Sequence, residues 1–173
     1  MKKLTFLLLF TLLPLLSNAQ SFEKYESMKE VDAVVITSKM FKLLTKIDLN
    51  ADDPETQQYI DLIENLKEMR VFSTKSSYVR EQMAADVATF LKKGSMEELM
   101  RVTENGKTVK FYYKPGKNDD FVSQLFMFMD GKGDEPSVIL NITGDINLTQ
   151  VSKLAQDFNI PAGDQLENVE KNR

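Results

Sequence analysis

Residues 98–114 read ELMRVTENGKTVKFYYK, two alternating runs joined by Asn105-Gly106. Asn-Gly tolerates the two positive-φ positions of a type I′ turn, and the twist of that turn matches the strands it joins. The dipeptide between alternating runs is therefore the strongest short-range hairpin signal. A two-residue loop also fixes the register, setting Glu104 opposite Lys107, Val102 opposite Val109 and Met100 opposite Phe111. Met100, Val102, Val109, Phe111 and Tyr113 then share one apolar face, while Arg101, Thr103, Thr108 and Lys110 share a wetter one. Arg101 and Lys110 fall opposite each other. Like charges across a ladder repel, so an acid is expected beside them.

Working outward, Phe121–Met129 and Ser137–Thr143 add two more strands, and the second half of the chain is mostly sheet. Upstream, Val31–Thr37 (VDAVVIT) and Met69–Thr74 are β-branched and apolar, and also read as strands. Helical patterns lie between. One starts at Thr37 or Ser38 and carries Met40, Phe41, Leu44 and Ile47. A second opens on Asp53-Pro54-Glu55, which supplies an N-cap carboxylate, a first-turn proline and an acid at the positive end of the dipole. Its buried stripe is Tyr59, Ile60, Ile63 and Leu66. The third, Ser76–Lys93, places Val79, Met83, Val87, Phe90 and Leu91 at helical spacing and stops at Gly94. A short helical piece is expected over 21–29, where Phe22 and Tyr25 stand three apart. Asn147 is expected to cap a last helix with Leu148, Val151, Leu154, Ala155 and Phe158 inward, ended by Pro161; Gly144 would ease the turn into it. The whole predicts a single α+β domain over 20–160. Its sheet is largely antiparallel, with about six strands and helices packed mainly on one face. Residues 161–173 read as a polar, disordered tail.

The first nineteen residues read as a secretory signal peptide. Lys2 and Lys3 give a positive start, residues 4–16 an apolar core, and Ser17-Asn18-Ala19 the small residues of a cleavage site before Gln20. The apolar stretch is short of the ~20 residues that span a bilayer. No cysteine stands at the cut for a lipid anchor, so a soluble periplasmic or extracellular product is expected. Cleavage takes 19 of 173 residues and leaves 154, enough for one domain with a real core. Two of the 22 basic residues leave with the leader, so 20 bases face 26 acids for a net charge of −6. An acidic chain without a basic stripe is not expected to bind nucleic acid, and no later segment is long and apolar enough to be a transmembrane span.

The chain has neither cysteine nor histidine. That excludes disulfides, thiol nucleophiles, Ser-His-Asp triads and imidazole metal sites. Acid–base work would fall to Asp, Glu, Lys or Tyr with shifted pKa values. The remaining candidates each have a plainer reading. Leu125–Met129 (LFMFM) is apolar on both faces and reads first as a central strand covered on both sides, against an exposed Phe126/Phe128 face for a partner or lipid. Met127 and Met129 lack the companions of a copper site and read as core fillers. Asp130–Glu135 (DGKGDE) hints at a calcium loop but lacks its spacing, and reads as a turn. The pairs Asp52-Asp53 and Asp119-Asp120 lack a catalytic motif. Ser76-Ser77, Ser38-Lys39 and Ser152-Lys153 read as polar helix starts or solvated faces. The sequons at Asn141 and Asn147 fall in a strand and a cap.

Several segments together resemble a known family: SKMFKLL (38–44), MRVFST (69–74), the 98–114 hairpin, DFVSQLFMFMDG (120–131) and ITGDINLTQVSKL (142–154). They are similar to the bacterial exported domain-of-unknown-function family 4252 over nearly the whole mature chain. The resemblance implies an envelope or periplasmic address and no catalytic, metal-binding or cofactor-binding residues. The expected function is a non-enzymatic binding or interaction domain whose partner is a protein or envelope component. The alternatives are a carrier of an apolar small molecule or lipid, motivated by the Phe/Met strand, and an Asp/Glu-based hydrolase, which needs two carboxylates converging in one pocket.

Overall fold

The computed structural model describes residues 22–46, 54–104, 107–118 and 120–147. After a 3₁₀ turn at Glu23–Ser27 come β1 (Asp32–Thr37), α1 (Ser38–Leu44), α2 (Pro54–Glu64), β2 (Leu66–Thr74) and α3 (Ser77–Lys93). Then follow β3 (Glu97–Glu104), β4 (Lys107–Pro115), β5 (Phe121–Asp130) and β6 (Ser137–Asn147). The six strands form one sheet in the order β1-β2-β6-β5-β4-β3, with every neighbouring pair antiparallel. The α+β class, the single domain and the six-stranded sheet are as the sequence predicts.

The hairpin has the predicted register, from Glu104↔Lys107 through Val102↔Val109 to Met100↔Phe111. Arg101 does face Lys110, and the expected acid is Glu98, 2.7 Å from the Arg101 guanidinium. Residues three apart on a regular strand point to opposite faces. A bulge between Glu98 and Met100 inserts Leu99 and returns Glu98 to the face of Arg101.

β5 lies between β4 and β6 and is buried on both faces: Leu125, Met127 and Met129 on one, Phe126 and Phe128 on the other. The central-strand reading of LFMFM therefore holds. A strand apolar on both sides needs cover on both sides, and the helices divide accordingly. On the first face, Phe41 of α1 and Leu62 and Ile63 of α2 pack over Met69, Phe111, Met127 and Leu140. On the second, Val79, Met83 and Val87 of α3 join Phe22 and Tyr25 over Phe72, Phe126 and Ile139. Cover mainly on one face thus gives way to a three-layer arrangement, because the helices share the two sides. Phe22 and Tyr25 meet the core together because a 3₁₀ turn repeats every three residues. Phe22 also stacks within 5.6 Å of Phe126.

Two boundaries differ from the sequence reading. Leu66 opens β2 instead of closing α2, with Asn65 alone between them. It is three residues past Ile63, so the helical period carries across a junction the chain has already left. β6 runs through Gly144 to Asn147, with Ile146 buried opposite Val122. Gly144 is thus inside a strand, at φ 158°, where a Cβ would meet the Asn65 carbonyl oxygen at 2.5 Å. Asp145 N–H donates to that same carbonyl at 3.0 Å. The glycine serves the close approach of β6 to the α2–β2 junction, not a turn. The leader, Ile47, Asp52-Asp53, Asn105-Gly106, Asp119, Ser152-Lys153, the expected last helix and the tail lie outside the described residues.

Candidate functional site

The two edges of the sheet are built differently. An edge strand presents unpaired N–H and C=O groups, and proteins blunt such edges with bulges, charges or proline. β3 has the Leu99 bulge, the Glu98–Arg101 ion pair, and Glu97, which accepts from the Tyr113 hydroxyl at 2.7 Å. Among the described residues, β1 has neither bulge nor proline, and its one charged side chain, Asp32, stands at its first position. Its pairing with β2 runs without a shift from Asp32↔Ser73 to Thr37↔Glu68, and its side chains are Asp, Ala, Val, Val, Ile and Thr. Val34 is 51% exposed on one face and Val35 39% on the other. α1 follows without a loop and packs on β1 and β2. It buries Phe41 but leaves Met40 47% and Leu43 57% exposed. Val34, Val35, Met40 and Leu43 are four of the five large exposed apolar side chains among the described residues. All four belong to this one strand–helix unit.

Charge is held in fixed pairs around that edge. Arg70, opposite Val35 on β2, donates to Glu68 at 2.7 and 3.0 Å and lies 3.2 Å from Glu26 and 3.6 Å from Glu23. The Glu68 hydrogen bonds raise its pKa most, so the guanidinium stays charged and ties the 3₁₀ turn to the sheet. The buried Tyr25 donates to Asp86 at 2.6 Å, and Lys24 pairs with the same carboxylate oxygen at 2.6 Å. Burial first, then the Asp86 hydrogen bond, raises the Tyr25 pKa far above the usual tyrosine range. A hydroxyl so held is a fixed donor joining the turn to α3.

Two open clefts are formed by described residues. One of about 430 Å³ lies between Lys29, Asp32, Thr74, Lys75, Ser76 and Pro136. Its best-placed hydroxyl, on Thr74, already donates to the Glu30 carbonyl at 2.6 Å and accepts from Ser76 N–H at 3.2 Å. The other, about 310 Å³, gathers Asp61, Glu64 and Asp145. These acids have partners: Gln57 on Asp61 at 2.8 Å, Lys117 on Asp145 at 2.7 Å, and Thr45 near Glu64 at 3.5 Å. No group of three or more metal-capable side chains converges among the described residues. No helix among them is long and apolar enough to cross a membrane.

The other sequence candidates separate cleanly. Phe126 and Phe128 are core, so the motive for an apolar-ligand carrier is spent on packing. Met127 and Met129 fill the opposite cluster. In the 130–135 loop, Arg80 Nη1 donates to the carbonyls of Gly131, Gly133 and Glu135 at 3.2, 3.2 and 3.4 Å. The cation that collects these oxygens is a side chain from α3. Asp120 is exposed. Ser38-Lys39 forms the first turn of α1, and Ser76 is the N-cap residue of α3. Asn141 accepts from Gln124 at 2.7 Å in mid-sheet, and Asn147 ends β6 opposite Phe121. Sequence reading missed the exposure of β1, because an apolar run looks the same at a sheet's edge as at its centre.

The family "Domain of unknown function (DUF4252)" matches residues 25–154. The match takes in every strand and helix described above, apart from the first two residues of the 3₁₀ turn, and the chain belongs to that family. No curated protein and no solved structure matches it.

Proposed function

We propose that this DUF4252 domain is a non-enzymatic interaction module of the cell envelope, exported by its leader and engaging its partner through β1 and the outer side of α1. The observation that carries the reading is the edge that the described residues leave open: unshifted strand pairing and exposed valines on both faces, beside Met40 and Leu43. An exposed strand edge binds by adding a strand, with main-chain hydrogen bonds giving affinity and side-chain contacts giving selectivity. The acids of the cleft that gathers Asp61, Glu64 and Asp145 are engaged with neighbours, which supports binding over hydrolysis. The leader-like start and the cysteine-free composition support an envelope address held together by core packing alone.

The test uses the full chain expressed with its own leader, carrying a photo-crosslinking residue at Val35 or, as a control, at Tyr78, which is 69% exposed on α3. Adducts are expected from position 35 in the envelope fraction and not from 78. The intact mass should match a chain starting at Gln20. Equal yields at both positions, or none at 35, would remove β1 as the interaction edge; retention of residues 1–19 in the cytoplasm would remove the address.

A further inference from the structure

We infer that the partner of β1 is β1 of a second copy, paired antiparallel about a two-fold axis at Val35, so that two six-stranded sheets join into one of twelve. The inference rests on reading β1 as an interaction edge and names what occupies it.

Geometry narrows the pairing first. A two-fold axis normal to the sheet leaves each face on its own side, and residues facing each other across a ladder share a face. Only residues of equal parity can then meet. An axis at Val34 would face Asp32 with Ile36 of the copy, putting a carboxylate against an apolar side chain. An axis at Val35 sets Val35 against Val35, Val34 against Ile36 and Ala33 against Thr37. Every inner pair is then apolar or β-branched, the cross-strand combinations that favour a ladder.

Charge selects the same arrangement. The strand opens on Asp32, preceded by Lys29 and Glu30, and ends beside Lys39 and Lys42. Antiparallel self-pairing brings the net acidic start of each strand to the basic end of the other, and the Val35 axis, whose ladder ends at Ala33 opposite Thr37, leaves Asp32 beside the first turn of the copy's α1, which carries Lys39. Parallel pairing would bring like charges together. The exposed Met40 and Leu43 of α1 lie next to the same end of the strand, so the seam gains apolar cover there. An isologous contact needs a surface complementary to itself, and β1 with its flanks meets that need in sequence and in charge.

Because the chain has no cysteine, a single introduced thiol reports the register. Facing residues of an antiparallel pair have Cα atoms about 4.5–5.5 Å apart, within disulfide reach. With the axis at Val35, the two copies of residue 34 are about 8 Å apart, beyond it. In the mature chain, residues 20–173, Val35→Cys should give a covalent dimer on mild oxidation, and Val34→Cys and Tyr78→Cys should not. Light scattering of the unmodified mature chain should show its mass rise toward twice the monomer value between about 1 and 300 µM, the regime of a small interface. Asp32→Lys should weaken the dimer about fivefold, and Asp32→Lys with Lys39→Glu should restore it. Thermal melts of each variant confirm that it is folded. A monomer at every concentration, or crosslinking no stronger at 35 than at 34 and 78, would overturn the inference. If position 35 then still photo-crosslinks an envelope protein, the edge reading survives with a different partner. If the mature chain is monomeric and position 35 captures nothing, both fall.

Discussion

Replacing Arg80 by methionine tests how much of the fold rests on one side chain holding a loop. Nη1 has two hydrogens and three carbonyl oxygens around it, at 3.2, 3.2 and 3.4 Å. At most two of these bonds can be well formed at once, and their lengths lie at or beyond the long end of the ordinary range. Two charge-assisted bonds at the low end of their usual worth contribute about 3 kcal/mol. Against this stands Nε, buried without a partner, whose relief in the variant returns about 1 kcal/mol. Methionine keeps the apolar stem, so the net loss expected for Arg80→Met is about 2 kcal/mol, or roughly 6–8 °C in Tm for a domain of this size. Urea unfolding followed by circular dichroism reads the change as a shift in midpoint at constant slope. A loss below about 0.5 kcal/mol would refute the clamp, since exposed substitutions away from such contacts stay within that range. A second reading comes from the same samples. The loop carbonyls already serve a guanidinium, so millimolar calcium should leave the wild-type Tm unchanged; a rise would show that the oxygens prefer a metal.

Gly144→Ala should cost about 2–3 kcal/mol, measured by the same urea titration, because its Cβ would press on the Asn65 carbonyl. Ser95→Gly should raise stability by about 0.5–1 kcal/mol: Ser95 takes the left-handed φ of +50° just past α3, while Gly94 before it is right-handed. Tyr25→Phe leaves Asp86 to Lys24 and should cost about 1 kcal/mol at neutral pH. The same hydroxyl sets an alkaline limit. Its folded pKa is raised, so unfolded chains lose that proton first and stability falls as pH climbs past about 10. Denaturant midpoints between pH 8 and 11 should fall less steeply for Tyr25→Phe than for the wild type. Some slope should remain from Tyr112, whose pKa is also raised, chiefly by burial.

The hairpin was legible because its turn chemistry, alternation and register all point one way, and even the acid near Arg101 follows from charge opposition. α3 was legible for the same reason: Val79, Met83 and Val87 recur at one helical face and are the residues it buries. The division of helices between faces had a signal that went unused, since LFMFM cannot be apolar on both sides of a sheet covered on one. Leu66 and Gly144 were misplaced by local rules applied across a junction those rules do not see: one apolar residue continued a helical period, and one glycine suggested a turn. What sequence could not give was strand order. VDAVVIT has the composition of a central strand, and only the pairing of β2 with β6 puts it at an edge. The interaction surface was hidden with it.

The strand order also dictates how the molecule must assemble. β3 to β6 form a meander in which each strand meets the next, and closing those loops is quick. β2 instead finds its inner neighbour across the chain, with Phe72 opposite Ile139, 67 residues later. β1 and β2, made earlier on the ribosome, therefore wait for β6 before their sheet has a centre. Pulse-labelled hydrogen exchange should find β4 and β5 amides protected before those of β2. A chain cut short of β6 should keep its hairpin and lose its globule. Until β6 arrives, the hydrophobic side chains of β2 stand open, and a cell making this protein must keep the unfinished half from finding other company.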